Sequence, residues 1–198
     1  MDSIFAGVFS EYTIAGVAFK PAGANAYTLV DGAGSVSEEY ERKVVTKAKS
    51  NVVVKRIARS AGSGTLTINL HMPQELYNTL QGLVTTGNIT GVYSLGGRAQ
   101  IPTCEITMEI EDEDGAKKFK YFPCASSTSF SRSVNSEADT VAEVEMTFDL
   151  SVDSEENIVY EALSTALPTT GDLTASNWMS AASTALITGA SGATGITA

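Results

Sequence analysis

The residues able to do chemistry in this 198-residue chain are few and scattered. There is one histidine, His71, and there are two cysteines, Cys104 and Cys124. Structural zinc sites draw four such ligands from short spacings, and these three do not supply one. No serine or cysteine nucleophile motif lies near His71, which therefore reads as a histidine hydrogen-bonding at a strand-to-helix junction. The run Glu111-Asp112-Glu113-Asp114-Gly115 lacks the downstream glutamate of an EF-hand loop and reads as a solvated hairpin tip. Ala61-Gly62-Ser63-Gly64 is not a phosphate loop, because no Lys-Ser/Thr pair opens a helix after it. The dispersed carboxylates match no glycosidase or metal spacing. The expectation is a non-catalytic protein with no cofactor and no metal.

Charge is the stronger signal. Seven of the thirteen cations fall between residues 42 and 59 (Arg42, Lys43, Lys47, Lys49, Lys55, Arg56 and Arg59), and no acid interrupts them. Together with Tyr40 this stretch is a candidate contact surface for an acidic partner. At a formal net charge of −10, another copy of the same chain qualifies. A solvated two-stranded ribbon is the competing reading. The second charged feature is acidic. Glu143, Glu145 and Asp149 alternate with Val144, Met146, Phe148 and Leu150, so the strand has one apolar and one acidic face. That face is either a water-facing sheet surface or a wall lining a space for an anionic passenger.

The net charge and a pI near 4.5 disfavour stable binding to nucleic-acid phosphate. They are compatible with a surface past which DNA slides. No run approaches the roughly eighteen apolar residues of a membrane span. The N-terminus lacks the basic and apolar regions of a signal peptide. A chain made in the cytosol, with reduced cysteines and no membrane partner, is expected, and there the sequon Asn88-Ile89-Thr90 has no meaning.

These features need elements to hold them. Leu66, Ile68 and Leu70 alternate with Thr65, Thr67 and Asn69, the period of a half-buried strand. At Pro73 the period changes to Leu76, Leu80, Leu83 and Val84, one face of a helix, with Pro73 in its first turn and Gln74, Asn78 and Gln81 on its exposed face. Further strands are expected over Tyr12–Phe19, 26–30, 89–95, 126–133, 144–152 and 158–163. Ser50-Asn51 is expected to close a hairpin through the cationic stretch. Turns are expected at 22–25, 31–34, 61–64, 96–98 and 135–139. Asp114-Gly115 closes a second hairpin over 103–125. Its register is taken as residue numbers summing to 229, which sets Glu111 opposite Lys118 and Glu109 opposite Lys120, and puts the two cysteines on opposite faces. The alternative, summing to 228, would set Cys104 opposite Cys124, Met108 against Lys120 and Ile110 against Lys118, and is set aside because it mixes apolar and charged partners. Pro123 is the place where a bulge would upset that register. Short β-type runs divided by Gly, Ser, Asn and Asp make the chain mainly β. Residues 169–198 are Ala-, Ser-, Thr- and Gly-rich, with Trp178, Met179, Leu186 and Ile187 as anchors. They form an extension from about residue 166, with a short helix over 176–186 and a neighbouring subunit as its natural support.

The order of several pieces resembles the major tail (tail tube) proteins of phages of Gram-positive bacteria, siphophage type. The pieces are Glu39-Tyr40-Glu41-Arg42-Lys43 running into Val-Val-Thr-Lys-Ala-Lys, Gly64-Thr-Leu-Thr-Ile-Asn-Leu-His-Met-Pro, the Leu76–Leu83 helix, the Glu-Asp-Glu-Asp-Gly hairpin, and Asn157-Ile-Val-Tyr-Glu-Ala. The resemblance covers residues 1–165. It implies a β-sandwich or barrel-like domain with one flanking helix and long hairpins, as homo-hexameric rings stacked into a virion tail tube. It further implies a lumen that houses a tape-measure protein and conducts DNA, and tail terminator and distal tail proteins at the two ends. Under it, Glu143, Glu145 and Asp149 are candidate lumen residues. The inner tube of a contractile tail or of a phage-tail-like bacteriocin is a related alternative, since tube folds are shared across these systems. An extracellular or virion-decorating adhesin or carbohydrate-binding β-sandwich is the alternative from a different class, and the sole tryptophan lying in the extension speaks against it.

Overall fold

Alternating apolar side chains build one large antiparallel sheet. The computed structural model describes residues 9–49, 52–85, 90–97, 99–132 and 143–187. In chain order the elements are β1 (Thr13–Pro21), β2 (Thr28–Val30), β3 (Ala33–Lys49), β4 (Val52–Leu70), α1 (Gln74–Leu80), the short pair β5 (Val84–Thr85) and β6 (Tyr93–Ser94), β7 (Thr103–Glu111), β8 (Lys117–Arg132), β9 (Val144–Ser151), β10 (Tyr160–Leu163), a 3-10 turn (Ser164–Ala166) and α2 (Trp178–Leu186). The sheet runs β2-β1-β7-β8-β9-β4-β3, and β10 pairs with the first half of β8. The fold is mainly β.

The sheet encloses a core that includes Phe19, Leu66, Ile68, Ile106, Met108, Phe122, Met146 and Phe148. Helix α1 closes this core with Leu76 and Leu80. The helix is shorter than the apolar spacing predicts. Gly82, at φ 64°, ends it, with Leu83 N–H donating to Asn78 C=O and Gly82 N–H to Thr79 C=O, a Schellman closure. Val84 thus leaves the helix and is exposed. Pro73 occupies the N-cap, one residue before the first turn. Asn78 and Gln81, expected on the exposed face, are buried. Asn78 accepts a hydrogen bond from Gln74, and Gln81 donates to Ser127 on β8.

The 103–125 hairpin corrects the expected register. Near the turn the pairs are Glu111 with Lys117, Ile110 with Lys118, Glu109 with Phe119 and Met108 with Lys120. The turn chemistry decides this. Asp112 N–H donates to Ala116 C=O, Gly115 N–H donates to Asp112 C=O, and the Asp112 carboxylate accepts from the amides of Asp114 and Ala116. With Gly115 at φ 80°, this is a three-residue loop ending in a glycine bulge. One extra residue at Pro123–Cys124 then shifts the register, and Cys104 lies opposite Ala125. The cysteines are free. Cys104 is in the core and Cys124 is opposite Ser151 on the other face, so their expected placement holds although the register behind it does not.

Two stretches read as separate pieces are continuous. Residues 61–64 are not a turn but an irregularity inside the 19-residue β4, where the register with β3 slips around Gly62 (φ 81°). The polar run 126–132 is the second half of β8. β2, β6 and β10 are shorter than the strands expected at 26–30, 89–95 and 158–163. The N-terminal eight residues, the turns at Ser50-Asn51 and 135–139, the sequon's first two residues, Arg98 and residues 188–198 lie outside the described residues.

The extension is the largest departure. Helix α2 packs on the face of β7 and β8 that points away from the main core. Trp178, 2% exposed, stacks on Phe119 with ring centroids 5.6 Å apart, and its indole N–H donates to the Lys120 carbonyl at 3.3 Å. Phe119 and Tyr121 face this helix because the observed register puts Lys118 and Lys120 on the opposite side. Residues 173–187 therefore dock on their own chain's sheet.

Candidate assembly surfaces

The cationic stretch becomes an arm. β4 pairs with β9 only from Ser63 to Leu70, while its pairing with β3 continues to Val52. Residues 42–49 and 52–60 therefore leave the sheet as a two-stranded ribbon. Its paired length of eight residues on β3 is roughly 27 Å at a rise of about 3.4 Å per residue. Strand pairing places Lys43 opposite Arg59 and Lys47 opposite Lys55. These four share a face with Val45 and Ile57, while Arg42, Val44 and Arg56 lie on the other. Like charges set directly opposite one another destabilise a strand pair, and an isolated two-stranded ribbon is marginal in water. Val44 and Val45 are exposed as well. The structure thus gathers Arg42, Lys43, Lys47, Lys55, Arg56 and Arg59 on one arm, with Lys49 on the same strand near its tip.

Tyr40 sits where that surface begins, lining a shallow pocket with Arg42 and Arg59. It is half-buried at the root of the arm and donates to Glu38 at 2.7 Å. Burial, and then the bond to Glu38, push its phenol pKa up. Glu38 receives Lys120 Nζ at 2.7 Å, and Lys120 is also 3.3 Å from Glu11 and 3.6 Å from Glu161. Lys118 joins Glu11 at 3.0 Å and Glu161 at 2.9 Å. Burial alone would raise the Glu11 pKa, but the hydrogen bond from Lys118 and the charges of Lys120 and Lys118 reverse this and hold it low. This network borders an open pocket of about 540 Å³ between the start of β1 and β3. Sequence spacing did not reveal it, because its members come from four separate segments, around residues 11, 38–40, 118–120 and 161.

The acidic strand belongs to a larger surface. Cross-strand register sets Ser35, Ser37 and Glu39 beside Asn69, Thr67 and Thr65. These lie beside Glu145, Thr147 and Asp149, which in turn lie beside Ser131, Ser129 and Ser126. The result is a four-strand grid over β3, β4, β9 and β8 with three acids and no cation. Ser35 accepts from Asn69, and Thr67 and Thr147 are hydrogen-bonded to each other. Glu143 is set apart, just before β9 and 3.7 Å from His71. The signal in sequence was the alternation of small polar residues, legible on β9 but not on the serine-rich half of β8.

Among the described residues, this grid ends in edges with no paired strand. There β3 pairs with β4 and with no other strand. On the far side, β8 pairs with β7 no further than Ser126, so residues 127–132 have β9 on one edge and no described strand on the other. Among the described residues, no helix is long and apolar enough to cross a membrane, and no group of His, Cys, Asp and Glu is placed to hold a metal. Trp178, the sole tryptophan, is buried in its own domain and presents no platform for a sugar ring.

No family model matches the chain, and no curated protein matches it. Among solved structures it is similar to the PVC sheath-tube complex of an extracellular contractile injection system, at 13% identity and a TM-score of 0.47, over 82% of this chain and 98% of that one. It is also similar to the PVC sheath/tube terminator (13%, TM-score 0.49, 78% and 99% covered) and to Hcp1 from Flavobacterium johnsoniae (12%, 0.39, 74% and 94%). Scores below 0.5 at such identities do not assign a function to this chain.

Proposed function

We propose that the chain is a structural, non-catalytic subunit of a phage tail tube, of the siphophage type its sequence resembles. The observation that carries this reading is the four-stranded grid, each side of which ends in a strand edge that no other described strand pairs. The edges belong to different strands, so edge-to-edge pairing between copies is head-to-tail, and such contacts close into a ring when the rotation allows. Pairing also removes the aggregation hazard of two open edges. Six copies, the number the resemblance implies, would contribute about 24 strands. At about 4.8 Å per strand this gives a bore roughly 40 Å across between backbones. Barrels of roughly 16–18 strands already hold an aqueous channel.

In this reading Glu145, Asp149 and Glu39 line the bore, with Glu143 at its rim. Their charge repels DNA phosphate and keeps the passenger mobile. The arm carrying Arg42, Lys43, Lys47, Lys49, Lys55 and Arg56 contacts neighbouring subunits, and Tyr40 steadies its root. The tape-measure protein would occupy the lumen until DNA passes, and terminator and distal tail proteins would cap the ends. The location is the virion tail. Negative-stain microscopy and sedimentation of the purified protein test this. Sixfold rings or tubes are expected, and a monomer that persists at high concentration in tail-assembly buffer would overturn it.

A further inference from the structure

We infer that the arm is a contact site for anionic lipid bilayers, with Lys43, Lys47, Lys55 and Arg59 taking headgroup phosphates around the aliphatic pair Val45 and Ile57. The inference concerns arms that face no neighbouring subunit, in the free chain and at an open end of any tube, and it does not depend on the tube reading. Strand register builds this face as three rungs: Lys43 beside Arg59, Val45 beside Ile57, and Lys47 beside Lys55. An apolar rung thus lies between two doubly cationic ones, and the outer two are roughly 14 Å apart at about 3.4 Å per residue. All four cations are exposed, and Val45 is 47% exposed between them.

Charge and apolarity together identify the occupant. Among the described residues the arm's cations form no ion pair, whereas Lys20, Lys117, Lys118 and Lys120 are engaged by Glu105, Glu109, Glu11 and Glu38. Beyond the arm the chain sets six cations against all twenty-three acids, a formal −17. That charge opposes a polyanion at the body of the domain. The screening length is about 8 Å at physiological ionic strength, and the arm projects roughly 27 Å, so its outer part acts as a separate cationic patch. Rungs of like charge destabilise the ribbon, and anions laid against them relieve this. A nucleic-acid backbone would satisfy the cations and leave Val45 and Ile57 in water. A bilayer surface satisfies both. The lysine and arginine heads stay with the phosphates while their stems and the aliphatic rung enter the boundary below. Such a contact lies on the surface and needs no spanning segment.

The test is flotation of the full chain, at a concentration where sedimentation shows a monomer, with two kinds of vesicle. One is phosphatidylcholine alone, and the other contains about 30% phosphatidylglycerol. Wild type is expected to float with the anionic vesicles and not with the neutral ones, and to be released as salt rises from about 0.05 to about 0.5 M. Each basic side chain at such a surface is worth about fivefold in partitioning. Lys43→Gln/Lys47→Gln/Lys55→Gln should therefore lower it on the order of a hundredfold. Its melting temperature should stay at or above that of wild type, because the like-charged rungs are gone; this reports folding. Val45→Thr/Ile57→Thr keeps β-branched side chains in the ribbon. It should float several-fold less than wild type and bind duplex DNA on a filter no differently. Wild type that does not float overturns the inference, as does equal flotation by wild type and the glutamine variant, or with both kinds of vesicle. A threonine variant that floats like wild type, with both retained equally on duplex DNA, shows a general polyanion site and also overturns it. None of these outcomes bears on the tube reading, which stands or falls on ring formation.

Discussion

Replacing Trp178 by alanine tests whether the C-terminal segment is part of the domain. The side chain is 2% exposed, stacked on Phe119 and hydrogen-bonded to the Lys120 carbonyl. A buried tryptophan removes about 200 Å² from water, which at about 25 cal/mol per Å² is about 5 kcal/mol. Alanine keeps a small part of that area, and its helix propensity returns about 0.5 kcal/mol. The lost indole bond costs about 1 kcal/mol. The net is about 5 kcal/mol, at the upper end of the roughly 3–5 seen when a buried tryptophan is truncated to alanine. Against a total stability of about 5–15 kcal/mol, that is a large fraction. Urea unfolding of the monomer, followed by far-UV circular dichroism, measures it. Limited proteolysis should find new cuts between residues 166 and 187. Trp178→Phe keeps the stacking and loses only the hydrogen bond and part of the area, so it should cost far less. A loss below about 1 kcal/mol for Trp178→Ala, with no new cleavage, would refute the docking of α2 on β7 and β8.

The remaining expectations concern the core, the α1 cap and the ion network. Burial raises the Cys104 thiol to about 12, and burial with Asp153 nearby raises Cys124 as well. A thiol reagent should label half-exposed Cys124 slowly and Cys104 only on unfolding; equal rates at both would contradict the core placement. Gly82→Ala should destabilise the chain by about 1–3 kcal/mol, because φ is 64° and a Cβ would lie 2.6 Å from the Gln100 carbonyl oxygen; an unchanged melting temperature would contradict the α1 closure. Glu11 is held low in the fold, so its carboxylate stabilises above the ordinary glutamate range, and that contribution is lost as pH falls through the depressed value. Glu11→Gln should therefore melt below wild type at neutral pH, and the gap should close in acid; a gap that persists there would contradict the network. Lys118 is raised by Glu161 and Glu11 despite burial, so its contribution fades only as pH rises through that raised value.

The parts of the fold legible in sequence are those where one local pattern has one solution. The alternation of Leu66, Ile68 and Leu70, and of Val144 to Leu150, fixes a buried face whatever the partners are. The cationic arm was legible because no acid interrupts it. The hairpin register was not. A charge-paired ladder is worth only tenths of a kcal/mol per pair, less than the amide bonds to Asp112 and the glycine bulge at Gly115 that set the observed one. The docking of α2 was hidden for a related reason. Its acceptor, Phe119 and Tyr121, faces outward only in the observed register. Burial of Asn78 and Gln81 depends on β8 passing beside α1, which no local period encodes. The free edges, on which the assembly reading depends, are a property of topology and have no sequence signature.

The most direct measurement is amide hydrogen exchange on those two edges, compared between monomer and assembled protein. The account predicts that residues 33–40 of β3 and 127–132 of β8 become protected together on assembly, while the already paired amides of β9 change little. Assembly that leaves either edge exchanging as it does in the monomer would contradict ring closure by strand pairing.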